Sequence, residues 1–501
     1  MSMPAFPASS TPAASALERY EAVIGIEVHC QLRTASKMFC GCSTTYDGAP
    51  PNTQVCPVCL GFPGALPVLN ARAVELAVKA ALALGCAIQP TSIFARKNYF
   101  YPDLPKGYQI SQYERPFALA GRVRWHADGE AHDVRITRVH MEEDAGKSLH
   151  DTPEAASGTC LDFNRAGTPL VEIVTEPDIR SGAVAADFFS RLRDVLTTVG
   201  ANDGNLEEGS LRCDANVSVR PAGTTTLGTK VEIKNLNSFR FVQKAIEYEI
   251  ARQSAVIREG GRIVQETRLW DADAGCTESM RSKEEAHDYR YFPEPDLPPL
   301  RIADADLERW RAELPELPEA MRERLAAQYG LPAYDAGVLT QSADLSRFFE
   351  QTAAAAANPK AASNWIMGEL LRLLNAAGRD LAALTTVTPH GLGALIRLVD
   401  AGTINGPTAK AVFETMFASG RAPDEIVQTG GLAQVSDEGA VLAIVREVIA
   451  READAVAQYR KGKQAAIGFL TGQVMKAAKG KANPKLAGSL LARELGPPGA
   501  A

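Results

Sequence analysis

The sequence predicts an α+β protein in which a large mixed, mainly antiparallel sheet with a cysteine-rich knob is followed by an all-α connector and a small helical tail domain. In the first 300 of its 501 residues, short segments alternate apolar and polar side chains with the period of two that is typical of half-buried strands. Beyond residue 300 the chain is rich in Ala, Leu, Glu and Arg, and Gly or Pro interrupts it at intervals of roughly 20 to 30 residues, as between helices.

Three segments show the strand pattern clearly. In the first, Glu27, His29 and Gln31 fall on one face and apolar residues fall on the other. Segments 211–220 and 231–234 repeat the pattern. The sheet therefore has one polar face. Helices are predicted between such strands, at 71–84, 183–199 and 239–253. We expect four regions along the chain: a disordered tail at 1–16, the sheet domain at 17–300, the helical connector at 301–400 and the tail domain at 401–501.

Four cysteines form two pairs that are separated by a gap of thirteen residues: Cys40, Cys42, Cys56 and Cys59. Two short knuckles with this spacing are typical of a tetrahedral zinc site, and four sulfur ligands close the coordination shell, which makes the ion structural. The alternative is a buried cluster of reduced thiols. The other five of the nine cysteines are scattered singly, as in a cytoplasmic protein. No apolar run is long enough to cross a membrane.

Acidic residues gather in three places. Glu27 and His29 share a strand face, and further groups follow at 140–144 and 205–214. Carboxylates clustered at strand ends with an imidazole are typical ligands of Mg²⁺ or Mn²⁺ at nucleotide phosphates. The alternative for the triplet 142–144 is a solvated turn.

No phosphate-binding glycine motif is present in the sequence, so side chains would have to bind the phosphates of ATP. The alternative for each cation is an ordinary surface residue, which is the more common case for a single Arg or Lys. The candidates for the nucleotide phosphates are Arg212, Asp214, Lys234, Arg281 and Arg290.

The chain is acidic, with a net charge of −7, yet residues 460–485 contain Lys and Arg but no Asp or Glu. A local basic stripe on an acidic protein favours one dedicated contact with a polyanion, and a solvated helix face is the alternative. The lysines of this stripe are Lys461, Lys463, Lys476, Lys479, Lys481 and Lys485.

Several long motifs resemble those of one family, the B subunits of the tRNA-dependent amidotransferases that make Gln-tRNA(Gln) or Asn-tRNA(Asn). The resemblance covers the chain from about residue 20 to the tail. The motifs lie at 25–29, 56–64, 96–112, 140–147, 162–167, 212–216, 232–238 and 288–296.

The resemblance implies an ATP-dependent carbon–nitrogen ligase with glutamine as amido donor. ATP phosphorylates the side-chain carboxylate of mischarged Glu-tRNA(Gln) or Asp-tRNA(Asn), and ammonia displaces the phosphate. By similarity, Glu27, His29 and Glu143 bind Mg²⁺, with Glu142 and Glu208 as further catalytic residues, and Zn²⁺ lies in the cysteine knob.

The resemblance also implies partners. Ammonia would come from an amidase-type glutaminase subunit, in a heterotrimer that also contains a small third subunit. Lys97 and Tyr101 are candidates for the path of ammonia or for seating the aminoacyl end. The lysine stripe would contact tRNA phosphates. Two alternatives remain: a zinc-containing tRNA-binding module without chemistry of its own, and a metal-dependent hydrolase that acts alone.

Overall fold

The computed structural model describes residues 20–127, 129–149, 158–282, 286–434, 438–478 and 482–497. The chain divides into two compact units between Ala320 and Met321. The expected disordered tail at 1–16 lies outside the described residues, as do Lys479 and Lys481. The domain limits near residues 300 and 400 stay predictions.

The first unit is built around a sheet of nine strands, and the prediction of a mixed α+β fold with a large, mainly antiparallel sheet is confirmed. Its strands follow the order β14-β13-β12-β11-β1-β10-β7-β6-β2. The strands of the chain are β1 (Tyr20–Gln31), β2 (Ala87–Ile88), β3 (Thr91–Ser92), β4 (Ala95–Asn98), β5 (Tyr108–Ser111), β6 (Ala118–Ala127), β7 (Glu130–Glu143), β8 (Lys147–Leu149), β9 (Cys160–Asp162), β10 (Pro169–Thr175), β11 (Leu211–Pro221), β12 (Val231–Lys234), β13 (Glu266–Asp271), β14 (Cys276–Ser282), β15 (Phe292–Pro293) and β16 (Leu300–Arg301).

The N-terminal strand β1 lies at the centre of this sheet, between β10 and β11, and pairs antiparallel with both. Neighbouring strands are antiparallel throughout, except that β12 and β13 are parallel. The predicted alternation in β1 is confirmed: Ile24, Ile26 and Val28 are fully buried, whereas Glu27 and His29 are half-buried on the opposite face.

Three helices cover the apolar face of the sheet, and they correspond to the three that the sequence predicts. Each begins at a side-chain cap, which satisfies backbone N–H groups that the first turn leaves free. The caps are Asn70, Ser181 and Ser238. The helices are α1 (Ala71–Ala83), α2 (Gly182–Thr198) and α3 (Phe239–Arg258).

Three short sheets accompany the main one among the described residues of the first unit. Strand β4 pairs with β5 and with β15, β16 pairs with β3, and β8 pairs with β9. The proline-rich segment between β15 and β16 is therefore part of this unit. Arg96 holds it through two hydrogen bonds of 2.8 Å to the buried carboxylate of Glu294.

The second unit is helical in its described residues and contains two apolar cores, one formed by residues between Leu325 and Val427 and one by residues between Val441 and Leu495. None of the described helices combines the length and the apolar composition of a membrane span. The remaining helices are α4 (Asp304–Ala312), α5 (Pro318–Tyr329), α6 (Ala333–Leu339), α7 (Ala343–Ala356), α8 (Pro359–Trp365), α9 (Leu371–Ala377), α10 (Pro389–Asp400), α11 (Gly406–Ser419), α12 (Pro423–Gly430), α13 (Glu438–Arg451), α14 (Ala453–Arg460), α15 (Ala465–Ala477) and α16 (Pro484–Leu495).

Candidate functional site

A row of polar residues crosses the centre of the sheet on its polar face. His29 on β1 is paired in register with Arg212 on β11 and with Glu172 on β10, and Glu172 is paired in turn with His140 on β7. Because directly opposed residues of antiparallel strands share a face, the pairing alone places these four side chains next to one another.

Three members of this polar face have ligand atoms within 4.8 Å of one another: His29, Glu142 and Glu172. The Nε2 atom of His29 lies 3.5 Å from a carboxylate oxygen of Glu172 and 3.8 Å from one of Glu142. The two carboxylates are buried, whereas the side chain of His29 is 21% exposed. Two carboxylates and one imidazole are a donor set that fits Mg²⁺ or Mn²⁺.

His140 lies behind this group. Its Nε2 atom is 3.3 Å from Glu172 and 3.6 Å from Glu142, and its side chain is only 4% exposed. The Nε2 atom of His140 therefore faces both carboxylates.

The charges of this group stabilise one another. Burial works against a charge on His29, but its hydrogen bond to Glu172 and the negative charges of Glu172 and Glu142 outweigh burial and raise the pKa of His29. Burial likewise opposes ionisation of Glu172, but the positive charge of His140 holds the pKa of that carboxyl well below its usual range. The pKa values of Glu142 and Glu172 are both lowered, so both carboxyl groups are ionised.

Two ion pairs lie next to the central group. Arg212 donates to Asp144 over 2.9 Å, and Gln31 donates to the same carboxylate oxygen over 2.9 Å. Lys234 on β12 donates to Asp214 over 2.5 Å. Three of the predicted phosphate-binding residues thus lie on the polar face of the sheet.

The predicted set of Glu27, His29 and Glu143 is not gathered in one place. Glu27 lies on the polar face but accepts a hydrogen bond of 2.8 Å from Asn216. Glu143 follows Glu142 directly in β7, and the alternation of side chains along a strand turns it toward the opposite face. There its carboxylate pairs with Lys106 and accepts from the backbone N–H of Ile110 over 2.9 Å. Its role as a metal ligand stays a prediction.

The three remaining predicted catalytic and phosphate-binding residues lie on other segments of the first unit. Glu208 is exposed in a turn before β11, where its backbone N–H donates to Asn205. Arg290 is exposed, and its carbonyl accepts from Asn98 over 2.9 Å. Arg281 belongs to β14, in register with Thr267, and its side chain is outside the described part of the protein.

The sulfur atoms of the four knob cysteines form a second cluster and all lie within 4.8 Å of one another. The sulfurs of Cys56 and Cys59 are 3.9 Å apart. This separation fits the edge of a tetrahedral site with zinc–sulfur bonds of about 2.3 Å. A hydrogen bond from Cys40, another from the N–H of Cys56 and the charge of Lys37 lower the pKa of Cys59 to about 5, which favours the thiolate that binds metal.

A fully buried lysine supports this knob. The Nζ atom of Lys37 donates to the carbonyl of Gln54 over 2.7 Å and lies 3.8 Å from the sulfur of Cys59. A buried ammonium group is costly without a partner, so its place beside four thiols matches the negative charge of a zinc–thiolate centre.

A pocket of about 210 Å³ lies between the knob and the sheet. Its lining includes Phe39, Cys59, Tyr108 and the buried pair of Lys106 and Glu143. The knob and Glu143 therefore share this cavity, on the other side of β7 from Glu142.

Lys97 and Tyr101 lie in an aromatic region beside the central group. The Nζ atom of Lys97 is 4.9 Å from the ring centre of Tyr289 and 5.8 Å from that of Tyr99. Tyr101 is 40% exposed. In the second unit the described stripe lysines Lys461, Lys463, Lys476 and Lys485 all lie at least partly open to solvent.

Two residues of these clusters are missing from the sequence-based prediction, Glu172 and Lys37, whereas His140 belongs to the acidic group predicted at 140–144. A signal for Glu172 exists, because it is a single carboxylate inside the apolar run of β10. A charge in such a run requires a partner. Lys37 carries no signal, because its burial depends on the fold of the whole knob.

The fold and the two clusters define the class: an α+β protein in which a group of four thiols and a group of two carboxylates and an imidazole could each hold a metal ion. A model of the GatB/GatE catalytic domain matches residues 22–308, and a model of the GatB domain matches residues 347–495. The chain therefore belongs to the GatB family, and the resemblance stated from the motifs is confirmed.

Relatives of similar length support this assignment. A protein of Geotalea uraniireducens (strain Rf4), named as the B subunit of aspartyl/glutamyl-tRNA(Asn/Gln) amidotransferase, is 56% identical over 478 residues, which cover 95% of this chain and 99% of the relative. Proteins of the same name from Anaeromyxobacter sp. (strain K) and Myxococcus xanthus (strain DK1622) are 57% and 55% identical, again over 95% of this chain and 99% of each relative.

Proposed function

We propose that this chain is the part of a tRNA-dependent amidotransferase that activates the side-chain carboxylate of Glu-tRNA(Gln) or Asp-tRNA(Asn) with ATP. The names of the relatives support the substrate class. The observation that carries the chemistry is the group of His29, Glu142 and Glu172, which presents two buried carboxylates and one imidazole on an open polar face.

The group fits a divalent cation, which would neutralise the charge that develops on the transferred phosphoryl group. His29, Glu142 and Glu172 would hold it. His140 donates toward the two carboxylates from behind and keeps them oriented. Arg212 and Lys234 flank the group in ion pairs with Asp144 and Asp214 and would attract the phosphates of ATP.

Two bond exchanges account for the reaction. A carboxylate oxygen of the aminoacyl group attacks the γ-phosphorus of ATP, which forms an acyl phosphate and releases ADP. Ammonia then attacks the acyl carbon, phosphate leaves with the bonding electron pair, and the nitrogen loses a proton to give the amide. We assign the supply of ammonia to an amidase-type glutaminase, which binds together with a small third protein in the same cytoplasmic heterotrimer.

The knob takes no part in these steps. Its four sulfurs would complete the shell of a Zn²⁺ ion and leave no position for water or substrate. We propose that the knob holds the loop from residue 40 to 59 beside the sheet. The ammonium group of Lys37 contributes by donating a hydrogen bond to the carbonyl of Phe163.

The test compares Glu172→Gln with Glu143→Gln in the assembled complex. Mn²⁺, read by electron paramagnetic resonance, replaces Mg²⁺ as the binding probe, and ammonium chloride replaces glutamine. We expect Glu172→Gln to weaken Mn²⁺ binding at least about 100-fold, because a ligand is lost and not merely a supporting group. ADP and Gln-tRNA(Gln) formation should fall with it. Glu143→Gln should keep wild-type affinity for Mn²⁺.

Glu176→Gln is the matched control, since Glu176 directly follows β10 and its carboxylate accepts a hydrogen bond from Thr137 over 2.7 Å in an exposed position. Wild-type Mn²⁺ affinity in Glu172→Gln would overturn the metal site. A complex that binds tRNA but never forms ADP would instead favour the tRNA-binding module. Substrate turnover without ATP would favour the hydrolase.

A further inference from the structure

Five tyrosines form a continuous row next to the central group. Neighbouring ring centres are 4.3 to 6.0 Å apart, and one pair, Tyr113 and Tyr291, is stacked face to face with an angle of 8°. Both ends of the row are accessible, with Tyr113 36% and Tyr101 40% exposed. The row runs in the order Tyr113, Tyr291, Tyr289, Tyr99 and Tyr101.

The stacked pair is held in place from both sides. Tyr113 follows Gln112, whose buried amide donates to Ser92 over 2.9 Å and accepts from the N–H of Met141 over 3.1 Å. Tyr291 directly precedes β15, which is paired with β4. The rings are therefore positioned by the backbone of two sheets and need no rearrangement before they meet a ligand.

The row lies next to the carboxylates. Ser111, two residues before Tyr113, donates to the carboxylate of Glu142 over 3.1 Å. Lys97 lies against the rings of Tyr289 and Tyr99. A molecule that rests on the row can thus extend one end toward Glu142 and Glu172.

We propose that Tyr113 and Tyr291 are the stacking surface for the unpaired 3′-terminal bases of the aminoacylated tRNA. The proposal rests on the proposed function, which supplies the RNA substrate. Flat, accessible aromatic rings stack nucleobases of any sequence. The row is longer than the single base of ATP requires, and it passes the carboxylates, where the amino acid at the RNA end must react.

The test uses the complete complex and two uncharged tRNAs as probes, one intact and one without its terminal CCA. We expect Tyr113→Ala and Tyr113→Leu to raise the Kd of the intact tRNA about 5- to 150-fold, the loss that corresponds to one stacked base. The Kd of the shortened tRNA should not change. Tyr113→Phe and Tyr113→Trp keep a flat ring and should bind like the wild type.

Tyr334→Ala is the matched control, because Tyr334 is 75% exposed and lies in the second unit. Equal losses for both tRNAs would overturn the proposal, as would unchanged binding of the intact tRNA. A weaker Kd for ATP with unchanged binding of RNA would assign the rings to the base of ATP and also overturn it. Wild-type protein that binds neither tRNA would instead contradict the proposed function.

Discussion

Two consecutive glutamates, Glu142 and Glu143, face opposite sides of strand β7. Glu142 lies among imidazoles and a second carboxylate, whereas Glu143 pairs with the ammonium group of Lys106 in the pocket beside the knob. Glu142 converges with the carboxylate of Glu172 on the same imidazole, and such a pair of carboxylates is a donor set for a divalent cation, whereas Glu143 already has an ammonium partner. The chemistry of the two residues therefore differs, although they are adjacent in the sequence.

Lys37→Met should weaken the proposed zinc site while leaving the side chain about as long. The ammonium group at 3.8 Å from the sulfur of Cys59 would be lost, and the negative charge of the thiolates would be left without its buried partner. We expect zinc release to a colorimetric chelator to become about 10- to 100-fold faster. Lys79→Met, at a half-buried lysine of α1, is the control. Equal rates in both variants would exclude this role.

At the scale of elements, the loop between β10 and α2 is hydrogen-bonded to β7. The carboxylate of Asp178 accepts hydrogen bonds from the side chain of Arg135 at 2.6 and 2.9 Å and from its backbone N–H at 3.1 Å. These hydrogen bonds from Arg135 lower the pKa of Asp178. The connection thus keeps β10, which carries Glu172, in register with β7.

Asp178→Asn should cost about 1 kcal/mol of unfolding free energy at pH 7, since the pair is partly exposed. The pKa of Asp178 is lower in the folded state, so its contribution is present above the unfolded value of about 4 and is lost as the pH falls through the folded value. The difference from wild type should therefore vanish in acid. Urea unfolding between pH 3 and 7, read by pulsed hydrogen exchange in β10, measures it. Asp133→Asn, at an exposed ion pair of β7, should stay within about 0.5 kcal/mol of wild type.

At the scale of the whole molecule, charge is segregated. The chain has a net charge of −7, yet the described lysines of the stripe in 460–485 lie at the surface of the helices and turns of the second unit. The central group of carboxylates lies in the first unit. A polyanion would therefore be attracted mainly to the second unit, and chemistry would take place in the first.

Replacing Lys461, Lys463, Lys476 and Lys485 together by Ala should raise the KM for tRNA with little change in the ammonia-dependent kcat. Each lost phosphate contact should also reduce the slope of log KM against log salt by about 0.7 to 0.9. Steady-state kinetics at several salt concentrations measure both. Lys410→Ala, at an exposed lysine of α11, is the control. An equal fall in kcat would contradict the assignment.

The sequence predicts the fold class, the polar face of β1 and the cysteine cluster, because each depends on local spacing. It does not predict the partners of His29, since Glu172 lies 143 positions further along and reaches it only through strand register. Nor does it separate Glu142 from Glu143, because a cluster of acidic residues does not reveal where the strand ends. Pairing between distant strands supplies the missing information.

The central place of β1 has a consequence for synthesis of the chain. Its two partners, β10 and β11, begin at Pro169 and Leu211, far beyond Tyr20. Ribosomes add about 5 to 20 residues per second, so β1 waits about 10 to 40 seconds before both of its edges can pair. During that time Ile24, Ile26 and Val28 are exposed on a strand with open hydrogen-bonding edges. The strand that carries His29 therefore stays unpaired along at least one edge until β11 has been synthesised, and a chaperone that covers it would prevent edge-to-edge aggregation.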